Sequence, residues 1–430
     1  MNIHIHTLGC KVNQFESQAL ETLLVARGHQ IVEEESPDCA CYIINTCAVT
    51  AESGRKSRQA VRRLRDLNPN ALVAVCGCYA QITPHEVEKL GADLVAGSGN
   101  RVQFVEDLEH LMRTRTHLVR VDEALRRRVY EPLPAGSLAG RTRAMLKIQD
   151  GCSNFCAYCI IPYARGPVRS LPLADAAKQA AELAAEGYRE LVITGIEIAS
   201  YGKDLQTGET LANVVCAIAS AAPGVRLRLG SLEPRVVTEA FCTRLQALPG
   251  LCPHFHLSLQ SGCDATLRRM KRRYDTQRFM QSVTLLRRFF PGCGLTADLI
   301  TGFPGETEEE FAQTLAFLQK CAFSSMHVFP YSIRPGTPAA TMDNQVEKGV
   351  KHRRARQVTK LAEQMKQVFL QSCVDTQQQV LFEQEADGVC TGHAGNYAVV
   401  CVNDTNLHNL VKTVRITGQK DGKLWGNVIL

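Results

Sequence analysis

The sequence lacks any apolar run long enough to cross a membrane. A spanning helix needs about twenty mostly apolar residues, and no stretch of the 430 residues reaches that length. The start, Met1-Asn2-Ile3-His4-Ile5-His6, also lacks the basic segment and long apolar core of a removable leader. We therefore expect a cytoplasmic protein that does not associate with a membrane.

Strong charge asymmetry is absent as well. The formal net charge of +6 is modest for this length, so it permits nucleic-acid binding without indicating it. Cysteine, in contrast, is plentiful, with 18 in the chain. In a long chain without a leader, so many cysteines favour metal or cluster chemistry and buried thiols over disulfides.

Three of the cysteines, Cys152, Cys156 and Cys159, form a C-x3-C-x2-C loop directly after a strand-like run. No histidine or further cysteine lies near this loop in the sequence, which disfavours a closed four-ligand zinc site. Three separate core cysteines are the plain alternative, but this spacing on a polar loop favours one shared centre. Three thiolates on a cubane iron–sulfur cluster leave one iron open to a further ligand.

The first 100 residues alternate between predicted strands and helices in the order β-α-β-α-β, which predicts a parallel α/β sheet. The predicted strands are residues 3–8, 41–45 and 72–75. Cys10, Cys47 and Cys78 each follow the carboxyl end of one of these strands. Because parallel strands bring those ends to one edge of the sheet, three thiolates can converge there on a second cluster.

Cys76 competes with Cys78 for the third position of this set. Taken singly, each of the cysteines is compatible with an isolated place in the core. We favour Cys78 because Gly77 turns the chain out of the strand, whereas Cys76 is expected within the strand. The spacing alone leaves both choices open.

The remaining sequence predicts a linker and two further domains. Residues 113–143, which include Gly136 and Arg141, form a predicted basic linker after an amino-terminal domain over 1–112. A central domain is predicted over 144–374: residues 144–335 repeat a strand–helix rhythm about six times, which predicts a parallel barrel or an open partial barrel, and a basic amphipathic helix follows over 345–372. Residues 375–430 contain four short alternating strands, which predict a small antiparallel β-barrel.

Polar or glycine-rich residues follow several of the predicted barrel strands. Glycines at such positions let a ligand approach the backbone closely, and polar side chains can bind its ribose or charged groups. Each of these residues alone is more often part of a plain turn, but their common placement favours cofactor binding. The candidates are Thr194, Gly195, Ser231, Glu233, Gln260 and Gly302.

Four stretches together resemble the radical S-adenosylmethionine (SAM) methylthiotransferase family. They are the three-cysteine loop, Thr7-Leu8-Gly9-Cys10-Lys11-Val12-Asn13-Gln14, Asn45-Thr46-Cys47-Ala48-Val49-Thr50 and Gly77-Cys78-Tyr79-Ala80-Gln81. The resemblance implies two [4Fe–4S] clusters, one on Cys10, Cys47 and Cys78 and one on Cys152, Cys156 and Cys159. It also implies that the latter cluster cleaves SAM to a 5′-deoxyadenosyl radical, which drives insertion of a methylthio group held at the former. For the central domain, the resemblance implies a partial (β/α)6 barrel.

The same resemblance implies partners for this chemistry. A reduced flavodoxin- or ferredoxin-like donor would supply electrons, a sulfur donor would supply sulfur, and tRNA would be the substrate. The string from Cys159 to Ser170 is similar to the family, and its Arg165 and Arg169 are expected to face substrate phosphates. The predicted terminal barrel resembles the TRAM domain of RNA modification enzymes, so Lys412 and Arg415 are expected to contact RNA.

Within the family, the Gly-Cys-Lys-Val-Asn-Gln and Gly-Cys-Tyr-Ala-Gln strings most resemble one branch. Its substrate is N6-threonylcarbamoyladenosine at position 37 of tRNA, which it converts to the 2-methylthio derivative. The alternatives are the branch that acts on N6-isopentenyladenosine at the same position and the branch that modifies an aspartate of a ribosomal protein. A non-enzymatic iron–sulfur or zinc protein that binds RNA is a further alternative, which the three-plus-three cysteine pattern disfavours.

Overall fold

The structure, a computed structural model, describes residues 1–135 and 142–429 of the chain. The amino-terminal part consists of β1 (Asn2–Thr7), α1 (Lys11–Ala26), β2 (Gln30–Val32), β3 (Cys41–Thr46), α2 (Ala51–Leu67), β4 (Leu72–Gly77), α3 (Cys78–Ile82), α4 (Pro84–Glu88), β5 (Leu94–Ala96), α5 (Arg101–Thr114) and β6 (Leu118–Arg120).

The six amino-terminal strands form one parallel sheet in the order β2-β1-β3-β4-β5-β6. Strands β3 and β4 are buried along their whole length, as expected of central parallel strands covered by helices on both faces. The three strands that the sequence predicts are β1, β3 and β4, which lie side by side. Strands β2, β5 and β6 have three residues each, too few for a periodic pattern to indicate them.

The predicted linker begins inside this unit. Helix α5 crosses the predicted boundary at residue 112, and β6 pairs with β5, so the sheet continues to residue 120. Short apolar segments between charged residues do not indicate such an edge strand, which is why the pattern suggests a linker there. Gly136 and Arg141 of the predicted linker lie outside the described residues.

The central part alternates strands and helices. Its elements are β7 (Arg143–Asp150), α6 (Ile161–Arg165), β8 (Arg169–Ser170), α7 (Leu173–Ala185), β9 (Glu190–Gly195), α8 (Leu211–Ala221), β10 (Arg226–Leu229), β11 (Ser231–Leu232), α9 (Glu239–Gln246), β12 (His254–Gln260), α10 (Asp264–Arg269), α11 (Thr276–Phe289), β13 (Gly294–Thr301), α12 (Glu308–Cys321), β14 (Ser325–Pro330) and α13 (Lys348–Cys373).

These strands form the predicted partial barrel. One sheet has the order β10-β9-β7-β8 and the other has the order β11-β12-β13-β14. Strands β10 and β11 are separated by Gly230 alone, so the two sheets follow each other as one curved layer. Every strand pair in them is parallel except β7–β8, which is antiparallel. Leu146, Ile148, Leu191 and Ile193 join the hydrophobic core under the outer helices. The residues that alternate with them point into the barrel.

The carboxyl-terminal part is a closed five-stranded barrel in the order β15-β16-β17-β19-β18, with neighbours β15 and β18 closing it. Its strands are β15 (Gln377–Ala386), β16 (Val389–Ala394), β17 (Val399–Val402), β18 (Val411–Lys420) and β19 (Lys423–Val428). The pair β17–β19 is parallel while the other pairs are antiparallel, so the predicted all-antiparallel pairing holds at every seam but one. Strand β16 is the element that the sequence pattern does not indicate.

The long helix α13 connects the two barrels. It runs over 26 residues and packs its buried side, including Val358 and Met365, on the central domain, while Lys351 and Arg354 of its basic sequence are buried as well. None of the described helices is both long and apolar enough to span a membrane.

Arg228 of β10 connects the central barrel to the terminal barrel. Its guanidinium group donates to Glu190 at 2.7 and 3.0 Å and to the carbonyl oxygens of Gly395 and Ala394 at 2.9 and 3.1 Å. The ring of Tyr397 lies 4.8 Å from this guanidinium group. Both ions are almost completely buried, and Arg226 also pairs with Glu190 at 2.7 Å, so two arginines compensate this carboxylate.

We expect Arg228→Met to lower the free energy of unfolding by about 3 to 5 kcal/mol, because it leaves Glu190 with fewer partners in the interior. Burial alone would raise the pKa of Glu190, but Arg228 and Arg226 outweigh it and lower this pKa to about 2. The stabilisation is therefore present above about pH 4.5 and is lost as the pH falls towards 2. Chemical denaturation at pH 7 and pH 3 measures both effects.

Arg288→Met is the matched control for this substitution. Arg288 also pairs with a glutamate, Glu239, but both side chains are more than half exposed. We expect a change within about 1 kcal/mol. Equal losses for the two variants would contradict a structural role for the buried pair.

Candidate metal and cofactor sites

Cys10, Cys47 and Cys78 lie at one edge of the amino-terminal sheet. Cys10 precedes the first turn of α1, Cys47 follows β3, and Cys78 begins α3 directly after β4. Since β1, β3 and β4 are neighbours, the three loops that follow them are neighbours too. The structure thus brings together the three cysteines that the sequence predicts, and we call them the sheet-edge triad.

Two glycines let the loops of the sheet-edge triad approach one another. Gly9 has φ +107°, and a Cβ atom on it would lie 2.7 Å from Cβ of Cys47. Gly77 has φ +100°, and a Cβ atom there would lie 2.5 Å from the carbonyl oxygen of Thr46. Any side chain would therefore push the cysteine loops apart, and glycine also adopts these positive φ values without strain.

The thiols of the sheet-edge triad are close enough to influence one another. Burial, opposed by Arg165 and reinforced by the charges of Cys47 and Cys10, raises the pKa of Cys78 to about 12. Burial likewise raises the pKa of Cys47. Without a metal these two thiols are protonated at neutral pH, so metal binding would release protons.

Cys76 lies in a different environment from Cys78. It belongs to β4, is fully buried, and joins the apolar cluster between the sheet and helices α1 and α5. Cys78 is also buried, but it lies beyond the strand at the start of α3, in a separate apolar cluster with Tyr79 and Ile160.

Cys152, Cys156 and Cys159 form the second group, which we call the barrel-mouth triad. Their loop follows the carboxyl end of β7 and is fixed by backbone hydrogen bonds from Cys152 N–H to Gly166 O and from Ala157 N–H to Met270 O, at 2.9 and 3.0 Å. Burial, reinforced by nearby charges, raises the pKa values of Cys152 and Cys159 to about 12. The two backbone hydrogen bonds thus anchor the loop to the residues that follow α6 and α10.

In neither triad do all three sulfur atoms lie as close together as the ligands of a single metal ion. Among the described residues, the group of three metal-ligating side chains whose ligand atoms all lie within 4.8 Å of one another is His4, His6 and Glu35, and it contains no cysteine. Four-ligand zinc sites draw their sulfur atoms together around one ion. In the structure, the sulfur atoms of each described triad are thus not gathered around one point as a four-ligand zinc site requires.

Arg272 is a residue of the barrel mouth that sequence reasoning did not indicate. Its Nη1 donates to Cys156 Sγ at 3.1 Å, and its Nε donates to the hydroxyl group of Tyr274 at 3.1 Å. Tyr274 in turn donates to the carbonyl oxygen of Leu259 at 2.8 Å, near the end of β12. Arg272 therefore connects a cysteine of the barrel-mouth triad to the neighbouring barrel strand.

Glu197 is the second residue that the sequence did not single out. Its carboxylate accepts a hydrogen bond from Asn154 of the cysteine loop at 3.3 Å. Burial raises its pKa to about 7. Within the described residues, Glu197 Oε1 and Arg272 Nη2 are both buried without a hydrogen-bond partner. A carboxylate oxygen and a guanidinium nitrogen thus remain available beside the barrel-mouth triad.

Most predicted cofactor residues lie at the carboxyl ends of the barrel strands. Thr194 and Gly195 end β9, Ser231 begins β11, and Gln260 ends β12 in a left-handed conformation with φ +67°. Glu233 follows β11, but its carboxylate already accepts hydrogen bonds from the backbone and side chain of Arg235 at 3.2 and 2.8 Å. These residues lie where a strand ends or, for Ser231, where β10 passes into β11. Their contact with a cofactor stays a prediction.

The prediction that Gly302 contacts a cofactor is corrected by the structure, because Lys351 of α13 packs against this glycine. Its N–H donates to Glu306 at 2.7 Å, and a Cβ atom on it would lie 2.4 Å from Cγ of Lys351 in α13. This glycine serves the close packing of α13 against the end of β13. Helix α13 therefore lies where the sequence predicts a ligand close to Gly302.

Arg165 and Arg169 also require a correction. Contact with substrate phosphates needs exposed guanidinium groups, but the side chains of these residues are 0% and 4% exposed. Arg165 donates to Cys78 Sγ at 3.2 Å, to Asn13 at 2.8 Å and to Glu16 at 3.1 Å. It therefore joins α6 of the central domain to the sheet-edge triad, a role that no local sequence pattern indicates.

Glu16 is the centre of this interdomain contact. Its carboxylate pairs with Arg101 of its own domain at 2.9 Å and with Lys147 of β7 at 3.1 Å, in addition to Arg165. Burial would raise the pKa of Glu16, but Arg165, Lys147 and Arg101 outweigh it and hold the pKa below its usual range. Glu16 is therefore ionised at neutral pH.

Asp150 extends the network on the barrel side. It pairs with Lys147, Arg165 and Arg169 at 2.8, 3.4 and 3.6 Å. Within this network four cationic side chains, Arg101, Lys147, Arg165 and Arg169, face the two carboxylates of Glu16 and Asp150. The buried interface beside Cys78 consequently holds an excess of positive charge.

The residues that the sequence assigns to RNA on the terminal barrel are exposed. Lys412 and Arg415 both lie on β18 and face solvent. Arg415 also lies 4.0 Å from Asp375. Their placement leaves both cations accessible on the surface.

Two family models match the chain. The "Radical SAM superfamily" model matches residues 146–318, and the model described as "Uncharacterized protein family UPF0004" matches residues 2–97. A protein of Bacillus subtilis named "Threonylcarbamoyladenosine tRNA methylthiotransferase MtaB" is 37% identical over 94% of this chain and 90% of its own length. The chain belongs to the radical SAM methylthiotransferase family. It is a radical SAM enzyme, and such enzymes use SAM and a [4Fe–4S] cluster.

Further relatives of this methylthiotransferase have two different names. The Thermotoga maritima protein, also named "Threonylcarbamoyladenosine tRNA methylthiotransferase MtaB", is 36% identical over 92% of the chain and 90% of its own length. The Alkaliphilus oremlandii "tRNA-2-methylthio-N(6)-dimethylallyladenosine synthase" is 32% identical over 99% of the chain and 92% of its own length. The solved structure of the methyltransferase TsrM from Kitasatospora setae has a TM-score of 0.56 at 17% identity, covering 79% of this chain and 75% of that one, which shows a shared fold.

We expect Glu16→Gln to lower the free energy of unfolding of this methylthiotransferase at pH 7 by about 3 to 5 kcal/mol, because it leaves three buried cations short of a carboxylate. Chemical denaturation measures the loss. Glu52→Gln is the matched control, since Glu52 forms an exposed pair with Arg55, and it should cause no measurable change. Equal stability of the wild type and Glu16→Gln would contradict the importance of the interdomain network.

Proposed function

We propose that the enzyme holds two [4Fe–4S] clusters, one on Cys10, Cys47 and Cys78 and one on Cys152, Cys156 and Cys159. The proposal rests mainly on the sheet-edge triad, because a radical SAM enzyme without sulfur transfer needs no second set of three cysteines. When bound, the barrel-mouth cluster supplies the electron that cleaves SAM, and the sheet-edge cluster supplies an iron site for the sulfur to be transferred.

The charge of the interdomain network supports the second cluster. Three thiolates give a [4Fe–4S] cluster a net negative charge. Four cationic side chains face two carboxylates beside Cys78, and Arg165 donates a hydrogen bond to its sulfur. The excess of positive charge therefore compensates an anionic group at the sheet-edge triad.

The unpartnered groups of the barrel mouth support SAM binding there. We propose that Glu197 accepts hydrogen bonds from the SAM ammonium group and that Arg272 donates to its carboxylate. Thr194, Gly195, Ser231 and Gln260 are proposed to contact the remainder of SAM from the strand ends, with Glu233 behind them held by Arg235. Burying SAM between these groups would also exclude water from the reacting centre.

We propose tRNA as the substrate, with N6-threonylcarbamoyladenosine at position 37 as the modified base. The names of the relatives from B. subtilis and T. maritima support this assignment. The exposed cations Lys412 and Arg415 are proposed to contact the RNA backbone, together with Lys56 and Arg62, which are exposed on α2. A flavodoxin- or ferredoxin-like electron donor and a sulfur donor complete the reaction.

Mass spectrometry of tRNA nucleosides from cells that lack this protein tests the substrate. We expect loss of 2-methylthio-N6-threonylcarbamoyladenosine and accumulation of its precursor without the methylthio group. Loss of 2-methylthio-N6-isopentenyladenosine instead would assign the enzyme to the branch that the A. oremlandii relative represents. An unchanged nucleoside pool would rule out tRNA and favour the ribosomal-protein aspartate.

Adjacent cysteines test the assignment of the sheet-edge triad. In cells complemented with variants, we expect Cys78→Ala to abolish methylthiolation and Cys76→Ala to retain most of it, because Cys76 lies in the core of the sheet. Each substitution removes one thiol group, and the two positions are only two residues apart, so each variant is the control for the other. Activity of Cys78→Ala together with inactivity of Cys76→Ala would show that the assignment is reversed.

Arg272→Met tests the role of the arginine at Cys156. A positive hydrogen-bond donor at a ligating sulfur stabilises the reduced, more negative cluster. We therefore expect the reduction potential of the barrel-mouth cluster to fall in this variant, as measured by redox titration with electron paramagnetic resonance. Arg273→Met is the matched control, since Arg273 is exposed one residue further on, and an equal shift in both variants would contradict a specific role for Arg272.

A further inference from the structure

A cluster of metal-ligating side chains lies on the amino-terminal sheet, outside both cysteine triads. His4 and His6 alternate along β1 and therefore point to the same face of the sheet, which α2 covers. Glu35 follows β2, the neighbouring strand. Its Oε1 lies 3.1 Å from His6 Nδ1 and 3.9 Å from His4 Nε2. These three ligand atoms all lie within 4.8 Å of one another.

The hydrogen bonding of His4 leaves one of its ring nitrogens free to bind a metal. Its Nδ1 lies 3.0 Å from the carbonyl oxygen of Val32, so this nitrogen carries the proton and donates. Its Nε2 then has a free lone pair directed at Glu35, and it is buried without a hydrogen-bond partner among the described residues. Metal-binding histidines are commonly oriented in this way, by a hydrogen bond from the other ring nitrogen to a backbone carbonyl group.

We propose that His4, His6 and Glu35 form a binding site for Zn²⁺ that is separate from the iron–sulfur chemistry. Two imidazole nitrogens and one carboxylate oxygen are a ligand set that zinc accepts, with a water molecule in the fourth position. Zinc–ligand bonds of about 2.1 Å place tetrahedral donors about 3.4 Å apart. The separations from Glu35 Oε1 to the two histidines bracket that value, so small side-chain movements complete the site. The site does not rest on the proposed function.

Arg63 of α2 occupies the open side of the cluster. Its guanidinium group pairs with both oxygens of Glu35, with Nη2 2.8 Å from Oε1. Its side chain is 53% exposed, so it can move aside, whereas that of His4 is 8% exposed and fixed. Arg63 therefore competes electrostatically with a bound cation. Removing this arginine should strengthen zinc binding, which is the reverse of what the loss of a ligand does.

The test uses the full-length protein after anaerobic reconstitution with iron and sulfide, so that the cysteines are occupied. Zinc sulfate is added together with a competing chelator. After desalting, elemental analysis gives the number of zinc ions bound per chain, and X-ray absorption spectroscopy identifies the ligand atoms. We expect one zinc ion per chain with nitrogen and oxygen ligands only. Sulfur ligands, or no zinc retained at stoichiometric concentration, would overturn the proposal.

Variants at the rim of the cluster assign the ligands without disturbing the sheet. His6→Gln and Glu35→Gln affect partly exposed side chains, and each should weaken zinc binding at least about tenfold. Arg63→Gln should tighten it roughly fivefold, since a repelling charge is removed. His85→Ala is the matched control, because His85 pairs with Glu88 on the surface, and it should leave binding unchanged. Unaltered binding in both His6→Gln and Glu35→Gln would overturn the assignment.

Discussion

A single buried carboxylate, that of Glu16, determines how the amino-terminal sheet and the central barrel meet. Arg101 belongs to the same domain as Glu16, while Lys147 and Arg165 belong to the barrel, and all three are nearly inaccessible to solvent. Buried ions of this kind are costly to separate, because each charge left behind loses its compensation. The ion pairs of Glu16, together with the apolar packing of Ile160 and Ala164 against the amino-terminal domain, therefore fix the relative position of the two domains and hence of the two cysteine triads.

Each triad also has one arginine bound to a cysteine sulfur. Arg165 donates to Cys78 at 3.2 Å across the domain interface, and Arg272 donates to Cys156 at 3.1 Å within the barrel. Hydrogen bonds to ligating sulfurs and nearby charge are the means by which a protein adjusts the potential of an iron–sulfur cluster. The same side chains that stabilise the fold are thus placed to influence the electron transfer that the proposed reaction requires.

The sequence predicts local features of this enzyme well and interdomain features poorly. Cys10, Cys47 and Cys78 could be grouped because each follows a strand, and parallel strands end at one edge. Arg165 could not be placed, because its partner Glu16 lies 149 residues away and only the folded interface brings them together. Glu197 likewise follows a strand end as an ordinary polar residue, and its buried, unpartnered oxygen exists only in three dimensions. Three-residue strands such as β6 are missed because periodicity needs length.

The interpretation of the two triads as separate cluster sites is tested most directly by iron and sulfide analysis of anaerobically reconstituted protein, supported by Mössbauer spectroscopy. Two clusters predict about eight iron atoms per chain in the wild type. Replacing Cys10, Cys47 and Cys78 together by alanine should leave about four, all in the barrel-mouth cluster. A wild-type protein with only about four iron atoms, or with zinc bound at the sheet-edge triad, would contradict the two-cluster enzyme.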